Sequence, residues 1–216
     1  MSADNLTFSG PRDAAIVVKL GGSLYNSVPA LVPILRSAAR PLLIIPGGGP
    51  FANAVRDAGL DDETAHWKAI GAMDRYGHYI ASHGLPVTEL LSVPEHTTIL
   101  LPTTLMREQD PLPHSWDITS DTIAAWVAAE LRLDLVLLKS IDGIAIGDTL
   151  LENVNAPLET EAVDPLFIPY VLEKRVNTFM FNGSRPENLA RFLKGDTVPG
   201  THINQYNLLK DPKEIL

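Results

Sequence analysis

A lysine and a pair of glycines at the end of an apolar run constrain this chain more than anything else in it. Lys19-Leu20-Gly21-Gly22-Ser23 follows directly on the apolar residues 14–18. Glycine lets a backbone come close to a crowded anion, and the freed N–H groups can point at its oxygens. Lysine adds a compact, mobile positive charge. A second turn, Pro46-Gly47-Gly48-Gly49-Pro50, follows another apolar run at 41–45. Either turn alone also reads as an ordinary strand-to-helix connection. Together they suggest a site that holds two phosphate groups head to head. Neither is a Walker A loop or a dinucleotide fingerprint, because Gly-x-x-x-x-Gly-Lys-[Ser/Thr] and Gly-x-Gly-x-x-Gly are both absent.

The net charge of -9 makes nucleic acid or an anionic membrane an unsuitable main partner. A polyanionic substrate must then be held by local cations. The absence of cysteine excludes disulfides, zinc–thiolate sites and thiol nucleophiles. Residues 1–13 are polar and lack the apolar stretch of a signal peptide. The longest apolar runs fall far short of a membrane span. The reading is a soluble, cytoplasmic protein with no membrane or nucleic-acid partner. With 216 residues, 45% of them apolar, the chain can build a proper core.

Hydrophobic spacing predicts strands at 16–20, 42–45, 98–101, 135–138 and 178–181, with a last short one at 200–203. It predicts helices at 29–40, 51–58, 62–83, 119–131, 165–174 and 186–193. Thr119 or Ser120 suits an N-cap. This alternation implies an α/β fold, a three-layer α/β/α sandwich around a mostly parallel sheet. Ligands then bind beyond the carboxyl ends of the strands, where both glycine turns fall. Residues 94–113 hold four of the 17 prolines and read as loops over the site.

Further polar clusters have two readings each. In His114-Ser115-Trp116-Asp117-Ile118-Thr119-Ser120-Asp121, Asp121 either complements a helix dipole or fixes Lys19 between phosphates. Lys139-Ser140-Ile141-Asp142-Gly143 is either a solvated turn or a nucleotide site, with Lys139 near the distal phosphates. On the long helix His66, Lys68, Asp74, Arg75 and His78 either face water or reach substrate. Lys174 and Arg175 end a helix, where cations suit the dipole. No His/Asp spacing marks a metal cluster, which is compatible with Mg2+ carried by nucleotide phosphates and water.

These motifs resemble the amino acid kinase family, the fold shared by acetylglutamate kinase, aspartokinase, uridylate kinase and isopentenyl phosphate kinase. The resemblance rests on residues 19–23, 46–49, 119–121, 140–144, 181–183 and 200–201, in family order along nearly the whole chain. Within the family, 66–70 with Met73-Asp74, 114–121 and 182–187 are similar to the branch that acts in methanofuran biosynthesis. That branch phosphorylates [5-(aminomethyl)furan-3-yl]methyl phosphate to its diphosphate. The resemblance implies a single domain over 1–216, with an acceptor-binding part at about 1–130 and a nucleotide-binding part at about 131–216. It implies ATP and Mg2+, a small-molecule phosphate acceptor and a homo-oligomer. Lys19 and Asp121 are then the catalytic pair. Lys19, Gly21, Gly22, Ser23, Lys139, Ser140, Asp142, Gly143 and Lys174 form the expected ATP set. Gly47, Gly48, Gly49, Asn53, His66, Asp74, Trp116, Asp117 and Thr119 form the expected acceptor set. The second active-site cation is open among Lys139, Lys174 and Arg175, and the acceptor's ammonium is assigned to Asp74, Asp117 or Trp116. Two alternatives stand: a kinase for a nucleoside monophosphate or isoprenoid phosphate, and a non-catalytic oxyanion store, as some relatives are for molybdenum or tungsten.

Overall fold

The computed structural model describes residues 13–204. The terminal segments 1–12 and 205–216 lie outside the described residues, and with them nearly all of the polar stretch on which the expectation of no signal peptide rests. The chain runs β1 (Ile16–Leu20), a 3-10 turn (Gly22–Ser27), α1 (Val28–Arg36), β2 (Leu42–Pro46), α2 (Gly49–Asp57) and α3 (Asp62–Ala81). It continues through β3 (Val87–Thr88), β4 (Thr98–Leu100), α4 (Pro102–Gln109), α5 (Ser120–Leu131) and β5 (Leu135–Lys139). The last part holds β6 (Ala145–Ile146), β7 (Thr149–Leu150), β8 (Asn153–Val154), α6 (Phe167–Lys174), β9 (Thr178–Asn182), α7 (Pro186–Lys194) and β10 (Thr201–Ile203).

Among the described residues eight strands form one sheet in the order β3-β4-β2-β1-β5-β9-β10-β8. The pairings from β3 to β9 are parallel, β10 runs antiparallel to β9, and β8 runs parallel to β10. This is the expected α/β sandwich. Every residue of β1, β2 and β9 is buried, as a strand covered on both faces requires. Side chains alternate between two cores. Ile16, Val18, Leu20, Val136 and Leu138 pack with α1, Tyr76 and Ile80 of α3, and Leu189 of α7. Val17, Leu43, Leu135 and Leu137 pack with α5, α6 and Ile70 and Met73 of α3. The sheet order reverses between β1 and β5, which opens a crevice at their carboxyl ends.

Residues 94–113 are not only loop, as the proline count suggested. They contain β4 and α4, and Pro102 begins α4, where a missing N–H costs nothing. The first helix stops at Arg36 instead of running to residue 40. Arg40 precedes Pro41, a position where the helical conformation is disfavoured.

Candidate functional site

The pleat decides where the lysines point. Lys19 is two residues beyond Val17 and so leaves β1 on the α5 face. Lys139 follows Leu135 and Leu137 at the same spacing on β5. The register pairs Lys19 with Leu137 across the parallel strands. Thr119 caps α5, accepting a hydrogen bond from the Asp121 N–H at 3.4 Å, and Asp121 falls in the first turn of that helix. The three side chains therefore converge. Nζ of Lys19 lies 2.5 Å from Oδ1 of Asp121, and Nζ of Lys139 lies 2.6 Å from Oδ2. Lys19 is 4% exposed and Asp121 3%. Burial alone would raise the Asp121 carboxyl, but the two ammonium groups outweigh it and hold the acid below its ordinary range. Burial and then the charge of Lys19 depress the Lys139 ammonium, and Asp121 only partly restores it.

Both glycine turns face this triad, and their backbones touch. A Cβ on Gly22 would meet the Gly49 nitrogen at 2.5 Å, and one on Gly47 would meet the Gly22 nitrogen at 2.7 Å. Gly49 also has φ +54°, a left-handed conformation costly for residues with a Cβ. Tyr76, fully buried on α3, supports both turns. Its hydroxyl donates to the Gly21 carbonyl at 3.3 Å, and its ring lies where a Gly49 side chain would reach at 3.3 Å.

A cavity of about 660 Å³ opens over these groups. Lys19, Gly21, Gly22, Ser23 and Lys139 of the expected ATP set line it, together with Asp121. Gly48, Gly49, Asn53, His66, Trp116 and Thr119 of the expected acceptor set line it too. His66 is buried and stacks on His114 at 4.3 Å, and His114 bonds Asp110 at 2.7 Å. Burial, then the charge of His114, lowers the His66 imidazolium.

Other expected residues lie outside the cavity. Gly47 is beneath it, its N–H donating to the Leu20 carbonyl at 2.9 Å. The Asp74 carboxylate accepts from the Thr103 N–H at 3.2 Å and so ties α3 to α4. Asp117 is exposed and absent from the lining. Lys174 is half exposed, pairs with Glu173 at 3.0 Å and ends α6, and Arg175 is the C-cap of that helix; neither lines the cavity. The cation that shares Asp121 with Lys19 is therefore Lys139. Ser140, Asp142 and Gly143 sit just beyond the carboxyl end of β5, outside the cavity. Asp142 accepts from Asn182 Nδ2 at 2.9 Å, and Gly143 packs so closely on Thr201 that a Cβ would collide with its Oγ1.

Three contributors were not singled out from the sequence. Arg56 lines the cavity with its guanidinium 5.0 Å from the Trp116 ring, and Asp62 lines it from the first turn of α3. Tyr76 read only as part of a long helix. A weak signal existed for the two charged residues. Arg56 follows Gly49 by seven residues, which returns it to the same face of α2, and Asp62 opens the helix that comes next. Charges on such helices usually face water, so the signal does not stand out.

Two backbone cradles, two cations and a fixed carboxylate suit the phosphates of a nucleotide. No group of three or more His, Asp or Glu side chains is arranged as metal ligands among the described residues. Asp121 is engaged by both lysines. No described helix is long and apolar enough to cross a membrane.

Comparison with known proteins bears on the family and the fold. The profile of the amino acid kinase family matches residues 14–161. The chain is 30% identical to a [5-(aminomethyl)furan-3-yl]methyl phosphate kinase of Methanocaldococcus jannaschii, over 83% of this chain and 93% of that relative. Its fold is similar to the crystal structure of UMP kinase from Ureaplasma parvum, with a TM-score of 0.67 at 16% identity, covering 90% of this chain and 100% of the other. It is also similar to an isopentenyl phosphate kinase structure, with a TM-score of 0.57 at 17% identity, covering 88% and 100% of the two chains.

Proposed function

The chain belongs to the amino acid kinase family and is a phosphotransferase, and from that premise we propose that it transfers the γ-phosphoryl group of ATP to [5-(aminomethyl)furan-3-yl]methyl phosphate. The observation that carries the reading is the cavity in which Asp121 holds Lys19 and Lys139 against paired glycine turns. A phosphate acceptor is already ionised near neutral pH, so the site needs no general base. ATP supplies the phosphoryl group. The bond from its phosphorus to the bridging oxygen breaks as one to an acceptor phosphate oxygen forms, and ADP leaves. Lys19 and Lys139 neutralise charge on the groups that meet, and Gly22, Gly48 and Gly49 offer backbone N–H groups, whereas the Gly21 N–H, also expected as a donor, is taken by the Leu138 carbonyl at 2.9 Å. Ser140, Asp142 and Gly143, at the ends of the nucleotide-side strands, suit the nucleoside.

The acceptor reading rests on the remaining lining. Arg56 suits the acceptor phosphate, Trp116 the furan face, and Asp62 the ammonium. Asp74 and Asp117, considered for the ammonium from the sequence, lie outside the cavity. Asp62 has no ion-pair partner among the described residues. An isoprenoid acceptor would want an apolar tunnel, which this charged lining does not favour. An expected homo-oligomer has physical support in Val87, Leu90 and Val93, exposed beside the edge strand β3; sedimentation of the purified protein reads it.

The experiment is an acceptor screen with γ-labelled ATP. Label should enter the aminomethylfuran phosphate in preference to UMP and isopentenyl phosphate. Preference for either of the latter would overturn the acceptor assignment, and no transfer to any acceptor would overturn the kinase reading.

A further inference from the structure

We propose that Asp164 is a positioning residue, which fixes Asp121, and through it both lysines, by clamping the first turn of α5 from outside the helix. The proposal rests on the phosphotransfer reading above for its consequence, but its geometry stands apart from it.

Asp164 lies in the irregular segment before α6 and is 7% exposed. An aspartate so deeply buried needs partners, and all of them are at the start of α5. Oδ2 accepts from the Thr119 N–H at 2.9 Å, the Thr119 hydroxyl at 2.9 Å and the Thr122 N–H at 3.1 Å. Oδ1 accepts from the Thr122 hydroxyl at 2.5 Å. The N–H of Asp121 donates to Thr119 Oγ1, whose own proton goes to Asp164. A continuous line of donors thus runs from the backbone of Asp121 to this second acid. The Leu166 N–H also donates to the Asp117 carbonyl at 3.2 Å, so the clamping segment is itself tied down.

The arrangement does more than cap a helix. The open N–H groups of α5 would otherwise offer a phosphate a third anion site. Asp164 takes the Thr119 and Thr122 N–H groups and Thr119 Oγ1 takes that of Asp121, so most of the donors at this helix start are already engaged. It also adds a second negative charge beside the lysines. The charged groups facing Lys139 are Lys19 from β1, Asp121 from α5 and Asp164, and of these both acids support its ammonium. Burial and the neighbouring Asp121 push the Asp164 carboxyl up, a cost that the threonine hydrogen bonds partly offset.

The test is Asp164→Asn in the full chain, with Thr122→Val as a milder companion that keeps side-chain shape and removes the Oδ1 donor. Asparagine keeps one acceptor oxygen but turns an NH2 towards donors and removes the charge. Two readouts are needed. The first is kcat against KM across pH. The second is pH-dependent labelling of Lys19 and Lys139 by acetic anhydride, which reports their titration without turnover. We expect Asp164→Asn to lower kcat about tenfold or more, the scale of a sub-ångström to ångström misplacement, with a smaller change in the KM for ATP. Its alkaline limb and the labelling of Lys139 should both move to lower pH, because the ammonium has lost an anion. Thr122→Val should lower kcat in the same direction by less, and it carries the test if the asparagine variant does not fold. A lower melting temperature with kcat and lysine titration unmoved would make Asp164 an ordinary helix brace and overturn the proposal. If the wild-type protein phosphorylates nothing but the labelling still shifts, the kinase reading fails and the clamp survives. If the wild type phosphorylates nothing and the labelling does not shift either, both fall.

Discussion

Lys19 and Lys139 leave adjacent parallel strands on the same face and end on the two oxygens of one buried carboxylate, at 2.5 and 2.6 Å from Asp121. A buried and a half-buried ammonium group repel each other and carry a desolvation cost, so the arrangement is tolerable only while the acid between them is ionised. Bound phosphates would relieve the surplus charge, which makes the site better matched to a loaded state than to an empty one.

Lys19→Ala should therefore strike the chemical step. The expected fall in kcat is about a hundredfold or more, as when a preorganised electrostatic group is lost, with a smaller effect on the KM for ATP. Steady-state kinetics on the folded variant checks this, and a near-normal kcat would remove Lys19 from its role. Asp121→Asn should cost activity and also stability, by about 3 kcal/mol, because it leaves the buried Lys19 and the half-buried Lys139 without their partner. Chemical denaturation measures the second effect.

The same cluster predicts two pH dependences of opposite origin. Asp121 has a folded pKa below its unfolded value, so its contribution to stability is fully present above the unfolded value near 3.8 and is lost as pH falls through the folded one. Acid unfolding followed by circular dichroism should show this loss in the wild type and not in Asp121→Asn. Lys139 has a folded pKa below 10.5. Between that folded value and 10.5 the unfolded chain binds more protons, so this residue makes stability rise with pH. Activity moves the other way, because kcat needs the ammonium. Its alkaline limb should lie below the range of an ordinary lysine, and Lys139→Arg, which stays charged, should shift that limb upward.

What could be read from the chain beforehand follows from how local each signal is. The lysine–glycine turn, the triple glycine and Asp121 in the first turn of a helix are each written within a few residues, and the strand alternation carries Lys19 towards α5. Lys139 was legible as a cation near phosphates, but its choice over Lys174 required knowing that β5 lies beside β1. Asp164 was not legible. Its partners are 42 and 45 residues away, and its own surroundings have no regular period. The two-residue strands β6, β7 and β8 are too short to show alternation. Asp62 was hidden because Asp61-Asp62-Glu63 reads as a helix start, and Asp61 does cap α3 by accepting from the Thr64 N–H at 2.9 Å.

The acceptor side gives a prediction that separates binding from chemistry. Asp62→Asn should raise the KM for the aminated furan phosphate about tenfold, the scale of one charge-assisted contact, and leave the KM for ATP unchanged. A deaminated acceptor should not distinguish the variant from the wild type. Equal KM values for the aminated acceptor in both proteins would remove Asp62 from ammonium recognition. Trp116→Ala should weaken both acceptors alike, because it loses ring stacking and also releases Arg56, now 5.0 Å from that ring.

A pair of glycine substitutions tests whether the backbone contact between the cradles matters. In Gly22→Ala the new methyl would lie 2.5 Å from the Gly49 nitrogen and 2.8 Å from its Cα, and both are backbone atoms that cannot swing aside. The turns must separate, and the donors of each move away from the phosphates they would share. An ångström of such movement costs about a hundredfold in rate, so kcat should fall on that scale while the fold, held by the strands below, persists. Gly71→Ala is the matched control. That glycine lies inside α3 with nothing within 4 Å of a new Cβ. Removing its backbone freedom should stabilise the protein by about 0.5–1 kcal/mol without touching kcat. Thermal melts and initial rates on the two variants give opposite signatures if the cradles work as a unit. Comparable, small effects in both would mean that the contact between the turns is incidental to catalysis.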